Sequence, residues 1–190
     1  ILSENGANFF NDNLQCVIVH PQAIINNSDI FFNFLTKREY LYDFKNGVLT
    51  IYKNTSQDIK KEILPLTKEL NITLVPFAPL SRGLMSNSLE IDKLVDNDFR
   101  KNLPRYSGEY LENNKNLANE FALFAKEKNC TPAQLAISWV INQSDNIIPI
   151  PGTKRRKYLE ENVNAVDVSL NLSDLEKIEN ILKKYPNIGP

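Results

Sequence analysis

Two short apolar runs, each ending in a loop, constrain this chain most. Ile72-Thr73-Leu74-Val75-Pro76-Phe77-Ala78 and Asn146-Ile147-Ile148-Pro149-Ile150-Pro151-Gly152 carry no charge and are rich in β-branched residues, the pattern of buried strands. Helical spacing surrounds them. Asp58 to Leu70 aligns Ile59, Ile63, Leu66 and Leu70, with Pro65 either near the true start of the helix or kinking it. Leu111 to Lys128 gathers Leu117, Phe121 and Phe124 on one face. Thr131, Pro132 and Gln134 form a helix-start signal, and the run that follows through Ile141 is apolar on most faces and reads as buried. Lys154 to Ala165 follows the second strand as a helix, and Ser173 with Glu176 reads as a capping box for a helix from Asp174 to Lys184. Residues 88–110 read as an extended surface loop. Strands alternating with helices predict a parallel α/β sheet or barrel.

Composition narrows the function classes. A chain of 190 residues suits one domain, and a net charge of −1 argues against a wholesale electrostatic nucleic-acid binder. No apolar run approaches the roughly 18 residues that span a bilayer, so no membrane role is expected. Cys16 and Cys130 are too few for a disulfide framework and have no ligand-spaced neighbours, so no metal site is expected and a reducing, cytosolic-type compartment is the default. Asn occurs 25 times and Ala nine, which reads as mutational bias and not as chemistry. The chain opens Ile1-Leu2-Ser3, without Met or a signal peptide, and reads as a fragment. Asn26 to Thr50 mixes aromatics and charges with no sustained period of two or 3.6.

Chemistry concentrates after the two strands. Pro151-Gly152-Thr153-Lys154-Arg155-Arg156-Lys157 lies at a strand-to-helix junction, where helix N–H groups and basic side chains suit a phosphate monoester. A solvated basic face or a nucleic-acid patch is the plainer alternative, because 100° steps spread adjacent residues around a helix. Leu80-Ser81-Arg82-Gly83 follows the carboxyl end of the first strand, the edge where α/β folds bind ligands, though an ordinary turn has the same composition. His20, the single histidine, sits before Pro21 and reads as a helix-end or surface residue. Glu160 and Glu161 read as solvated carboxylates. No Ser-His-Asp set, P-loop or Gly-rich dinucleotide fingerprint occurs.

Taken together, the motifs resemble the C-terminal part of an aldo-keto reductase. They are Glu62-Ile63-Leu64-Pro65-Leu66, Val75 to Gly83, Asp98-Phe99-Arg100 with Leu103-Pro104-Arg105-Tyr106, Cys130 to Ala136, and Ile148 to Arg155 with Leu159-Glu160-Glu161-Asn162. Five motifs in order over about 130 residues are far more specific than any one, and the likeness is nearest the branch that reduces small aldehydes and ketones with NADPH. The resemblance implies an incomplete (β/α)8 barrel, from about strand five or six to strand eight with the C-terminal helices. Residues 56–185 are the well-matched, cofactor-binding part, and residues 26–50 are the insertion.

By that resemblance NADP(H) lies across the carboxyl ends of the strands. Gly152, Thr153 and Lys154 would hold the adenosine 2′-phosphate, with Tyr158, Glu161 and Asn162 facing the adenine. Leu80, Ser81, Arg82 and Gly83 would hold the pyrophosphate, and Ser3 and Glu4 the carboxamide. Phe77 stands where the family usually stacks a Tyr on nicotinamide, and Ala78 replaces a Ser. Val19-His20-Pro21 resembles the end of the helix after strand five. Strand six is interrupted by roughly 20 extra residues, with Glu39-Tyr40 or Tyr52 as its displaced remnant, and the lack of pattern there suggests a retained intron or sequencing artefact. The family's catalytic Asp, Tyr, Lys and His fall on strands before Ile1, so the resemblance assigns no catalytic residue here and implies an inactive fragment of a reductase of small carbonyl compounds. A non-catalytic NADP-binding or interaction protein, like the potassium-channel β subunits that resemble this family, is the alternative. The substrate and the oligomeric state are not legible.

Overall fold

A computed structural model describes residues 14–19, 41–45, 48–52, 59–69, 73–76, 78–86 and 94–186. The chain divides into two compact units, Ile1–Phe77 with Gln143–Ile150, and Ala78–Asn142 with Pro151–Pro190.

The first unit holds a four-stranded sheet of order β2-β3-β1-β4, with β1 Leu14–Val19, β2 Leu41–Lys45, β3 Val48–Tyr52 and β4 Leu74–Val75. The named strands pair antiparallel, β1 with both β3 and β4, which differs from the expected parallel sheet. Parallel pairing occurs where Leu74 bridges Ile147: Leu74 N donates to Asn146 O at 2.8 Å and Ile148 N to Leu74 O at 2.9 Å.

The reason for the difference is local. Lys45 pairs with Val48, so β2 and β3 are joined across two residues, and such a connection permits only an antiparallel pair. The intervening sequence is Asn46-Gly47, a strong hairpin dipeptide. Part of the segment read as patternless therefore pairs as two antiparallel strands, and neither LYDFK nor VLTIY alternates strictly between apolar and polar residues.

Pro65 lies next to a change of helix type. A π turn at Ile59–Ile63 gives way to helix α1, Leu64–Glu69, one residue before this proline, which has no N–H to continue an upstream ladder. Ile63 and Thr67 are fully buried, and Thr67 donates to Leu64 O at 2.9 Å. Ile148 and Ile150 are 59% and 50% exposed, contrary to the expected buried strand. Alternate residues of an extended chain face opposite sides, so both fall on the face away from half-buried Ile147 and Pro149.

The second unit is helical: α2 Gly108–Glu127, α3 Pro132–Ile141, α4 Arg156–Val163 and α5 Leu172–Lys184. Leu117, Phe121, Phe124 and Ala125 form one stripe of α2 and pack with Leu135 and Ala136 of α3 and Ile178 and Ile181 of α5. Each fully buried Leu, Ile or Phe contributes about 1.5–3 kcal/mol. The expected capping box on α3 is present: Gln134 N donates to Thr131 Oγ1 at 3.2 Å, and Thr131 N to Gln134 Oε1 at 3.0 Å. α2 ends in a Schellman arrangement, with Asn129 left-handed at φ 53° and Cys130 N donating to Ala125 O at 3.0 Å.

Two expectations shift in detail. The box on α5 uses Asn171 and Asp174, not Ser173 and Glu176. Asp174 Oδ2 also receives Lys128 Nζ at 2.8 Å, while Ser173 Oγ only donates to Asn171 Oδ1. Within the segment read as extended loop, residues 94–107 contain two 3₁₀ turns, Phe99–Asn102 and Pro104–Tyr106, and α2 begins at Gly108. Asp98 caps the first turn, and Pro104 opens the second.

Candidate functional site

The second unit contains both loops singled out in the sequence. Ser81–Gly83 forms a single 3₁₀ turn whose half-buried residues are held in an unusual backbone. Ala78, Ser81 and Arg82 have φ of 52°, 48° and 57°, and Gly83 has φ of 104°. For a non-glycine residue such a left-handed conformation costs about 1–2 kcal/mol, and it persists only where the surroundings over-determine it.

Those surroundings are visible. Leu80, before the turn, and Met85, after it, pack on the helical core. Ser81 N donates to Ala78 O and Gly83 N to Leu80 O, both at 2.9 Å, while Ser86 Oγ donates to Gly83 O at 2.8 Å. From 25 residues away the Tyr106 hydroxyl reaches Ser81 O at 3.1 Å and Arg82 O at 3.4 Å. Tyr106 is buried, which pushes its phenol pKa above the ordinary value and keeps it a proton donor. The sequence places Tyr106 in a motif but gives it no role. Its signal is the Leu103-Pro104 turn, which sets the Tyr two residues later.

The second loop leads into α4. Gly152, Thr153 and Lys154 are exposed, as are Arg155, Arg156 and Lys157. A Cβ on Gly152 would meet nothing within 4 Å, so glycine leaves open space there rather than relieving a clash. Thr153 Oγ1 accepts from Arg155 N at 3.3 Å. Arg155 is the N-cap of α4 but makes no capping bond, and the first turn contains no acid. Cations at a helix N-terminus oppose the macrodipole, so this end of α4 favours an anion. α3 and α5, by contrast, are closed by reciprocal boxes.

Tyr158 is half-buried, with the Arg155 guanidinium 5.8 Å from its ring centroid. Glu161 is half-buried. Asn162 is 6% exposed, and its Nδ2 finds no acceptor among the described residues. An unsatisfied buried amide costs roughly 1–3 kcal/mol, so an incoming acceptor would remove a penalty. Ser3, Glu4 and Phe77 lie outside the described residues. So do His20 and Glu39-Tyr40, while the other strand-six candidate, Tyr52, pairs with Leu41 and Leu14.

Among the described residues no cluster of three His, Cys, Asp or Glu is arranged for a metal ion, and no helix is long and apolar enough to cross a membrane. What remains is an anion-favouring helix start, an unsatisfied amide on the same helix, and a strained turn braced from the core.

A sequence model of the Aldo/keto reductase family matches residues 38–183, well over half of the chain. The chain belongs to that family of oxidoreductases, whose fold is the (β/α)8 barrel. It is 33% identical over 179 residues to "Aldo-keto reductase yakc [NADP(+)]" of Schizosaccharomyces pombe, covering 92% of this chain and 52% of that protein. It is 40% identical over 123 residues to "Probable aldo-keto reductase 1" of Glycine max, covering 65% of this chain and 36% of that protein. The chain thus spans about a third to a half of these relatives. In fold it is similar to a glycerol dehydrogenase of Gluconobacter oxydans, with a TM-score of 0.57 at 23% identity over 67% of this chain and 39% of the other.

Proposed function

We propose that this chain is the cofactor-holding part of an NADP(H)-dependent reductase of small aldehydes and ketones, with the groups that protonate the carbonyl lying outside these residues. Helix α4 carries the reading. Its N-terminus gathers exposed cations without an acid in the first turn or a side-chain cap, and its buried Asn162 amide finds no acceptor among the described residues. A 2′-phosphate suits the first feature, and an adenine ring nitrogen suits the second. Gly152, Thr153 and Lys154 would then take the phosphate, and Tyr158, Glu161 and Asn162 the adenine.

Leu80, Ser81, Arg82 and Gly83 would receive the pyrophosphate. When bound, NADPH supplies the hydride. The name of the Schizosaccharomyces pombe relative, which carries NADP(+), points the same way. A reducing, cytosolic-type compartment suits the free thiol of Cys130.

The test is fluorescence titration of the purified chain with NADPH and NADH, following Trp139 and the nicotinamide emission, with thermal shift alongside. Saturable binding, tighter for NADPH, is expected, and Lys154→Ala should reduce that preference about tenfold. An absence of saturable binding, or equal loss for both nucleotides in the variant, would overturn the reading.

A further inference from the structure

We infer that Tyr106 is a positioning residue for the cofactor: its hydroxyl converges with two successive carbonyls, Ser81 O and Arg82 O, and holds that turn in the shape that receives the dinucleotide's pyrophosphate. The inference rests on the cofactor reading above.

The turn needs an external brace. Ser81 and Arg82 are consecutive non-glycine residues in left-handed backbone, so without a tether the segment relaxes toward right-handed or extended conformations. Its internal bonds run between neighbours within the loop and relax with it: Leu84 N to Ser81 O, Gly83 N to Leu80 O and Ser81 N to Ala78 O. Tyr106 comes from a separate segment.

That segment is itself rigidly held. Pro104 opens its 3₁₀ turn, and Tyr106 N donates to Leu103 O at 2.9 Å. Arg105 O accepts from Asn114 Nδ2 at 2.7 Å. Asn114 is fully buried on α2, one turn before Leu117 of the core. A continuous path therefore runs from the helical core through Asn114 and Arg105 O to the Tyr106 hydroxyl and the turn. Burial pushes that phenol above its ordinary pKa, which favours the protonated, donating form.

The hydroxyl's effect on the cofactor can be separated from a general effect on the fold. Tyr106→Phe keeps the buried ring and removes only the donor. Its NADPH dissociation constant should rise about tenfold, while that of adenosine 2′-monophosphate, which has the 2′-phosphate and no phosphate at the 5′ position, stays within about twofold. Trypsin should also cut after Arg82 several-fold faster in the variant, and NADPH should protect that bond less than in the wild type.

Unchanged NADPH affinity in a folded variant would overturn the inference while leaving the cofactor reading intact. Equal loss for both ligands would overturn it as well, since that is the mark of a general structural role. If the wild-type chain bound neither ligand, the cofactor reading would fall and take this inference with it. Should Tyr106→Phe fold poorly, Tyr106→Met retains apolar bulk without the hydroxyl and is read by the same measurements.

Discussion

Lys128 Nζ donates to Asp174 Oδ2 at 2.8 Å, and the same carboxylate oxygen accepts from Asn171 N at 2.9 Å. One side chain thus closes the N-terminus of α5 and ties it to the last turn of α2. Charge and dipole agree at both ends, with an acid in the first turn of α5 and a cation at the C-cap of α2.

Asp174→Ala should therefore lower unfolding stability at pH 7 by about 1–3 kcal/mol, combining a lost cap with a lost charge-assisted bond. Lys128 holds the Asp174 carboxyl below its ordinary pKa. A depressed folded value means the contribution is complete above the unfolded pKa of about 4 and is lost as pH falls through the lower folded value. Urea unfolding from pH 7 to pH 2 should show wild type and variant converging at the acid end. A constant gap would exclude the ionised pair as its source.

Asn129 occupies the left-handed position after α2 at φ 53°, where a Cβ is unfavourable. Asn129→Gly should raise stability by a few tenths to about 1 kcal/mol. Chemical denaturation is the check, and a loss of stability would mean the Asn side chain contributes more than its backbone costs.

The Asn162 amide predicts a conflict between stability and binding. Asn162→Leu removes a buried donor that has no acceptor among the described residues, so the free chain should keep its stability or gain up to about 1 kcal/mol. NADPH affinity should fall about tenfold in the same protein. Thermal shift with and without nucleotide reads both, and a variant that binds NADPH normally would remove Asn162 from the adenine site.

Asp98 accepts from Arg100 N at 3.0 Å and from its guanidinium, at 2.9 Å from Nε and 2.6 Å from Nη2. These bonds to Arg100 bring its carboxyl down to about 2. Carboxyl NMR should find that midpoint, and Arg100→Gln should move it upward, toward the ordinary Asp value of about 4. Any stability this pair gives is present above pH 4 and disappears as the pH approaches 2. An unmoved midpoint would show that the backbone bond alone sets the value.

Much of this architecture is legible locally. The Thr131 and Gln134 box needs only four consecutive residues, and the face of α2 needs only a 3.6-residue period, so both can be read without a fold. Family membership was legible for another reason, because ordered motifs around 75–83, 130–136 and 148–162 survive even where single residues are ambiguous. The Asn46-Gly47 hairpin signal was also there to be read, between strands that do not alternate strictly between apolar and polar residues.

Other outcomes needed partners far away in the chain. Asn171/Asp174 and Ser173/Glu176 both satisfy the local box pattern, and Lys128, 46 residues from Asp174, favours the former by neutralising its carboxylate. Tyr106 belongs to a recognisable motif, yet only folding brings its hydroxyl to carbonyls 24 and 25 residues earlier. Likewise, Asn162 looks like any exposed helix polar residue until packing buries its amide, with no acceptor among the described residues. Capping and periodicity are short-range and can be read from neighbouring residues. Desolvation, bracing and charge pairing depend on which distant segments share a volume, and that is decided when the chain packs.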